Sequence, residues 1–156
     1  MYPREKDRIM TRKQARENAF LLLFERKSNP TESAEQVLSC AEEARETETD
    51  AYVLDIYQGA EKNAEEIAAV IASHLIGWKA ARLSAVSIAV LTLAAYEILY
   101  RDDVPDRVSI NEAIELSKKY DDEKAYALVN GVLNAIVKDK EAAGTASSSA
   151  AGDGND

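Results

Sequence analysis

Residues 84–101 run Ser84-Ala85-Val86-Ser87-Ile88-Ala89-Val90-Leu91-Thr92-Leu93-Ala94-Ala95-Tyr96-Glu97-Ile98-Leu99-Tyr100-Arg101. This is the most apolar part of the chain. Val86, Val90, Leu93, Ala94 and Ile98 recur at helical spacing and predict a stripe facing a core. Ser87, Thr92, Glu97 and Arg101 are the polar positions among them. After this helix, Asp102-Asp103-Val104-Pro105-Asp106 predicts a loop, because proline disfavours helix in the residue before it. Ser109-Ile110-Asn111-Glu112 has the form of a capping box and predicts a helix to about Tyr120. Asp121 or Asp122 then caps a last helix to about Lys140, which contains Val129-Asn130-Gly131-Val132-Leu133. A glycine inside a helix costs about 1 kcal/mol relative to alanine, so close approach of a neighbouring helix is the expected reason for Gly131. Asn130 is expected to satisfy a buried backbone group.

The same reading extends toward the N-terminus. Thr11-Arg12-Lys13-Gln14 is another capping box, opening a helix to about Lys27 with Ala15, Ala19, Leu22 and Leu23 at helical spacing. Ser28-Asn29-Pro30 stops it, and Asn29 is expected to cap a second helix that ends near Arg45. Polar residues 46–50 form a connection. A third helix covers about Ala51 to Lys62, with Tyr52, Ile56 and Gly59 on one side. A fourth stretch runs from Asn63 to Leu75, and Gly77 and Trp78 mark a break. Only six glycines and three prolines occur in 156 residues, and Ala, Leu, Glu and Lys are abundant. The expected fold class is therefore all-α, about seven helices in two packed subbundles, 11–76 and 79–140. Residues 1–10 read as a mobile basic arm and 141–156 as a disordered tail.

Composition narrows the function classes. No run of about 18 apolar residues occurs, so no membrane span is expected. No secretory signal is evident, and the single Cys40 forms no internal disulfide, which fits a reducing cytoplasm. No glycine-rich phosphate loop is present. His74, the only histidine, sits among Ile71, Leu75 and Ile76 and is expected to be packed or at the surface. One histidine and a distant cysteine make no metal-ligand set. No enzyme chemistry and no cofactor are expected.

Charge is distributed unevenly. The net charge is −9, yet residues 1–16 carry Arg4, Lys6, Arg8, Arg12, Lys13 and Arg16 against Glu5 and Asp7. Arg12, Lys13 and Arg16 fall in the first two turns of the first helix. A helix start favours anions, and Arg12 and Arg16 are four residues apart, so their charges repel. An external anion relieves both effects, and a phosphate backbone suits the position. An ordinary solvated basic face is the alternative. Tyr96, Glu97, Tyr100, Arg101 and Asp103 make a second group; Tyr96 is expected to close the core and Tyr100 to serve an interface.

The stretches Leu91–Arg101, Asp103-Val104-Pro105, Ile110-Asn111-Glu112-Ala113-Ile114-Glu115-Leu116 and Val129-Asn130-Gly131-Val132-Leu133, in that order and spacing, resemble the C-terminal half of the NusB family. Thr11 to Phe24 resembles that family's arginine-rich first helix. The resemblance spans roughly residues 11–138. It implies two helical subdomains and a transcription antitermination factor. Such a factor binds single-stranded boxA RNA of nascent ribosomal RNA with a small-subunit ribosomal protein, NusE, in a complex on RNA polymerase. By position, the resemblance places RNA contacts on Arg12, Lys13 and Arg16. It places the NusE surface on Glu97, Tyr100, Arg101, Asp103, Glu123 and Lys124. Family members occur as monomers and as homodimers. The chain departs from the family at Ser87 and Ile88, at Thr92 (usually arginine), at Leu128 (usually aromatic) and across Asp121–Ala125. A helical protein-interaction module without specific RNA binding is the competing reading.

Overall fold

The structure, a computed structural model, describes residues 10–44, 47–75 and 83–153, with side chains as far as Gly144. Residues 1–9 of the basic arm and the break at Gly77 and Trp78 lie outside the described residues. Among the described residues there are seven helices and no strand: α1 (Arg12–Ser28), α2 (Ala34–Ala44), α3 (Ala51–Lys62), α4 (Ala64–Ser73), α5 (Ala85–Tyr100), α6 (Asp106–Tyr120) and α7 (Ala125–Asp153).

Local chemistry sets most of these ends. Thr11 Oγ1 accepts from the Gln14 N–H at 3.1 Å and starts α1. Asp50 and Ser84 do the same for α3 and α5, accepting from Val53 and Ser87. Asn29 closes α1 instead of opening α2, its amide donating to the Glu25 carbonyl at 2.9 Å. The box that opens α2 is Ser33 with Gln36, each side chain accepting from the other's N–H at 3.1 and 2.8 Å. The expected box at Ser109 is also displaced. Pro105, at φ −60°, is the N-cap of α6, and Asp106 in the first turn suits the helix dipole. Ser109 is consequently buried inside α6, its hydroxyl without a partner.

The helix α7 continues through Asp153, where composition had pointed to a disordered tail from residue 141. Alanine is frequent in that stretch and is the best helix former, so the backbone can satisfy itself there without a core. Gly131 also departs from expectation. It is exposed, and a Cβ built on it meets nothing within 4 Å. Asn130 is exposed too and accepts from the Asn134 amide at 2.9 Å. The close approach lies at Gly59, where a Cβ would stand 2.3 Å from the Tyr96 hydroxyl oxygen.

The helix α5 runs through the middle, packed by α1, α3, α4, α6 and α7. Ala89, Val90, Leu91, Leu93, Ala94, Ala95 and Ile98 are all buried, so it is apolar around most of its circumference and not along one stripe. Val86, expected in that stripe, is only half-buried. One core takes residues from all seven helices. Asp121 ends α6 and accepts from the Ser84 and Ser87 hydroxyls at 2.6 and 2.8 Å, fixing that corner to the start of α5. His74, at the end of α4, reaches Asp139 of α7 at 2.8 Å.

Glu17 joins α1 to α6. Its Oε1 accepts from Lys119 Nζ at 2.6 Å and from the Tyr120 hydroxyl. These two bonds, Lys119 first, hold the Glu17 carboxyl below the ordinary carboxylate value. A depressed carboxyl contributes stability above its unfolded pKa and loses it as pH falls through the folded one. The stability gap between wild type and Glu17→Gln in urea unfolding is expected to shrink between about pH 6 and pH 3. A gap that stays constant with pH would remove this assignment.

Candidate nucleic-acid interface

The three cations at the start of α1 do not share one environment. Arg12 and Lys13 are exposed, whereas Arg16 is 4% exposed. Its position follows from the helix, because Ala15, Ala19, Phe20, Leu22 and Leu23 turn the same side inward. Arg16 Nε donates to both Glu97 oxygens, at 3.1 and 2.9 Å, and Glu97 is 0% exposed. The Tyr52 hydroxyl also donates to Glu97. Burial alone would lower the Arg16 pKa, but the charge and hydrogen bond of Glu97 outweigh it and hold the guanidinium above its ordinary value. The repulsion expected between Arg12 and Arg16 is thus answered inside the protein. Arg16 is a buried ion-pair residue and not an open phosphate contact. Glu97, expected on a partner surface, is likewise internal.

Tyr52 gathers the arginines. The Cζ of Arg12 lies 3.8 Å from its ring centroid, that of Arg101 4.6 Å and that of Arg16 5.8 Å. Burial, then the bond to Glu97, pushes the Tyr52 phenol up from its usual value, so it remains a neutral donor. Arg101 is engaged by two carboxylates. It forks onto Asp103 through Nε at 3.0 Å and Nη2 at 2.7 Å, and reaches Asp55 through Nη1 at 2.9 Å. Asp55 also accepts from the Tyr96 hydroxyl. Tyr96 is buried, and Tyr100 is half-buried, stacked on it at 5.3 Å and donating to Glu66 at 2.6 Å.

The residues expected to face a partner protein therefore divide. Tyr100, Arg101 and Asp103 lie at the C-terminal end of α5. Glu123 and Lys124 are exposed just beyond Asp121, which is bonded to the N-terminal end of α5. Sixteen helical residues, about 24 Å, separate the two groups. Near the second group Tyr126 is 41% exposed, with Lys118 Nζ 4.9 Å from its ring centroid. On α5 itself Thr92 turns its hydroxyl back to the Ile88 carbonyl at 2.7 Å. Sequence reasoning missed Tyr52, Asp55 and Glu66 as site residues. The available signal was the three-residue spacing of Tyr52 and Asp55, which puts both on one helical face.

Residues 13–138 match the model of the NusB family. The chain belongs to the NusB family. A transcription antitermination protein NusB of Acetivibrio thermocellus is 40% identical over 132 residues, covering 84% of this chain and 91% of the relative. One of Clostridium botulinum (strain Loch Maree) is 40% identical over 142 residues, covering 82% of this chain and the whole relative. Among solved structures, T. maritima NusB superposes with a TM-score of 0.74 at 34% identity, covering 84% of this chain and 93% of that one. A crystal structure of antitermination factors NusB and NusE in complex with dsRNA gives 0.69 at 34% identity, covering 81% and 96%. The NusB family consists of transcription antitermination factors and not of enzymes, and the all-α architecture described above is that of its members. Among the described residues no helix is long and apolar enough to cross a membrane.

Proposed function

We propose that this NusB-family chain binds boxA-type, single-stranded RNA of nascent ribosomal RNA together with NusE, as part of an antitermination complex on cytoplasmic RNA polymerase. The observation that carries this reading is the pair of exposed cations, Arg12 and Lys13, at the N-terminal end of α1 in a chain that is otherwise strongly acidic. The solved NusB–NusE–dsRNA complex, similar to this chain over 81% of its length, supports both kinds of partner. The choice of unpaired RNA follows from chemistry: the major groove of an A-form duplex is too deep and narrow for side chains to read, and sequence is read mainly on splayed, single-stranded bases. Tyr100, Arg101 and Asp103 are the candidate NusE contacts at one end of α5. Glu123 and Lys124, with Tyr126 beside them, are the candidates at the other.

The test is fluorescence anisotropy on a boxA-like strand and a scrambled strand, with and without NusE, over a salt series. Tighter boxA binding with NusE is the expected result. Arg12→Ala with Lys13→Ala should weaken it and reduce the salt slope by about 0.7 for each phosphate no longer neutralised. Arg16 is left intact in this variant, because its loss would act through stability. Equal binding to both strands in the presence of NusE would leave the protein-interaction module as the better description. The back-bonded hydroxyl of Thr92, where the family usually carries arginine, favours that second reading.

A further inference from the structure

Resting on the RNA-binding reading above, we propose that the cleft between the start of α1, the start of α3 and the end of α5 holds one unpaired base of the bound RNA. The base stacks on the Arg12 guanidinium, and Tyr52 is the positioning residue that keeps that guanidinium flat.

Three guanidinium groups lie near the Tyr52 ring, but they are not equivalent. Arg16 is taken up by Glu97, and Arg101 by Asp55 and Asp103. Arg12 is exposed, and its direct partner is the ring itself, 3.8 Å from Cζ to centroid. Among the described residues none of its N–H donors has a hydrogen-bond partner, so all of them are available to something outside the protein. The ring beneath it is firmly held, because Tyr52 is buried and its hydroxyl is bonded to Glu97. A long exposed arginine ordinarily loses rotamer freedom when it binds. Here part of that ordering is already done.

The walls distinguish a base from a phosphate. The cleft is bounded by Met10, Arg12, Asp50, Ala51, Tyr52 and Arg101. A site for phosphate alone would gain nothing from a thioether, a methyl group and a carboxylate. A base is flat and apolar on its faces, and every RNA base but uracil carries an amino donor at its edge. It stacks on guanidinium planes, and its amino group suits an acceptor such as Asp50. Asp50 Oδ1 caps the Val53 N–H, which leaves Oδ2 for that role.

The test scans the boxA-like strand with single abasic nucleotides against the full-length protein. One position is expected at which removal of the base weakens wild-type binding about tenfold, the size of one stacking interaction. Arg12→Lys keeps the charge but has no flat face. It should bind about tenfold more weakly, keep the wild-type salt slope, and lose all sensitivity at that position. Tyr52→Leu should behave in the same way, whereas Tyr52→Phe should retain the sensitivity. Because Tyr52 is buried, Arg12→Lys is the deciding variant if Tyr52→Leu fails to fold. An abasic profile identical in wild type and Arg12→Lys would overturn the proposal and leave Arg12 as a phosphate contact. That result, with boxA preference intact, differs from loss of any preference over the scrambled strand, which would overturn both readings.

Discussion

Glu97→Ala is expected to lower the unfolding free energy by about 3–5 kcal/mol, because it leaves the Arg16 charge buried and unpaired. The Glu97 carboxylate is 0% exposed and accepts from both Arg16 and Tyr52, on α1 and α3, so its removal leaves two donors on two helices without an acceptor. Arg16→Ala should cost a similar amount for the mirror-image reason. For a chain of this size the loss corresponds to a fall in Tm of about 10 °C. The pair as such need not be worth that much. Arg16→Met with Glu97→Leu replaces both charges by apolar groups of comparable bulk and should recover most of the stability. Urea unfolding of the three variants measures this directly. A loss below about 1 kcal/mol for Glu97→Ala would mean that water reaches the pair. An RNA-binding defect in an Arg16 variant has to be read against its stability before it is assigned to the RNA surface.

Gly59→Ala and Gly131→Ala are the same substitution in two helices, and they are expected to have opposite signs. At Gly131 the added methyl meets nothing, so the helix gains about 1 kcal/mol from alanine's better propensity. At Gly59 the methyl would stand 2.3 Å from the Tyr96 hydroxyl oxygen and 2.5 Å from the nearest ring carbon. The Tyr96 ring is buried and rigid, and moving it breaks the bond to Asp55, which in turn holds Arg101. Overpacking of this kind costs about 1–3 kcal/mol and exceeds the propensity gain. Thermal unfolding of both variants should show Tm rising for Gly131→Ala and falling for Gly59→Ala. A rise for both would show that α3 and α5 can separate without cost.

How much of this was legible in the sequence depended on how far apart the cause and its effect lie in the chain. Helix α3 was expected from about Ala51 to Lys62 and is found there, because its cap, Asp50, acts three residues away. The capping role of Thr11 was readable for the same reason. Ser109 misled because it fits the box pattern, while Pro105, four residues earlier, already starts the helix. Asn29 misled because one amide can close a helix or open the next. For the candidate site, composition placed Arg12, Lys13 and Arg16 together, and the resemblance to the NusB family supplied a role for them. Neither showed that Arg16 turns inward, since its partner lies 81 residues away. The glycine readings failed in the same way. Gly131 was noticed because it interrupts a pattern, while Gly59 has its reason in Tyr96, on another helix.

The distance between Arg16 and Glu97 also bears on how the chain is made. Ribosomes add about 5–20 residues per second, so about 4–16 s pass between the synthesis of Arg16 and that of its counter-charge. During that interval α1 lacks α5, the helix it packs against in the finished protein. The arginine must stay hydrated, and the apolar side of α1 around Phe20, Leu22 and Leu23 lacks part of its final cover. Burial of this charge is therefore a late event in biosynthesis, set by the arrival of the central helix and not by the folding of the first four.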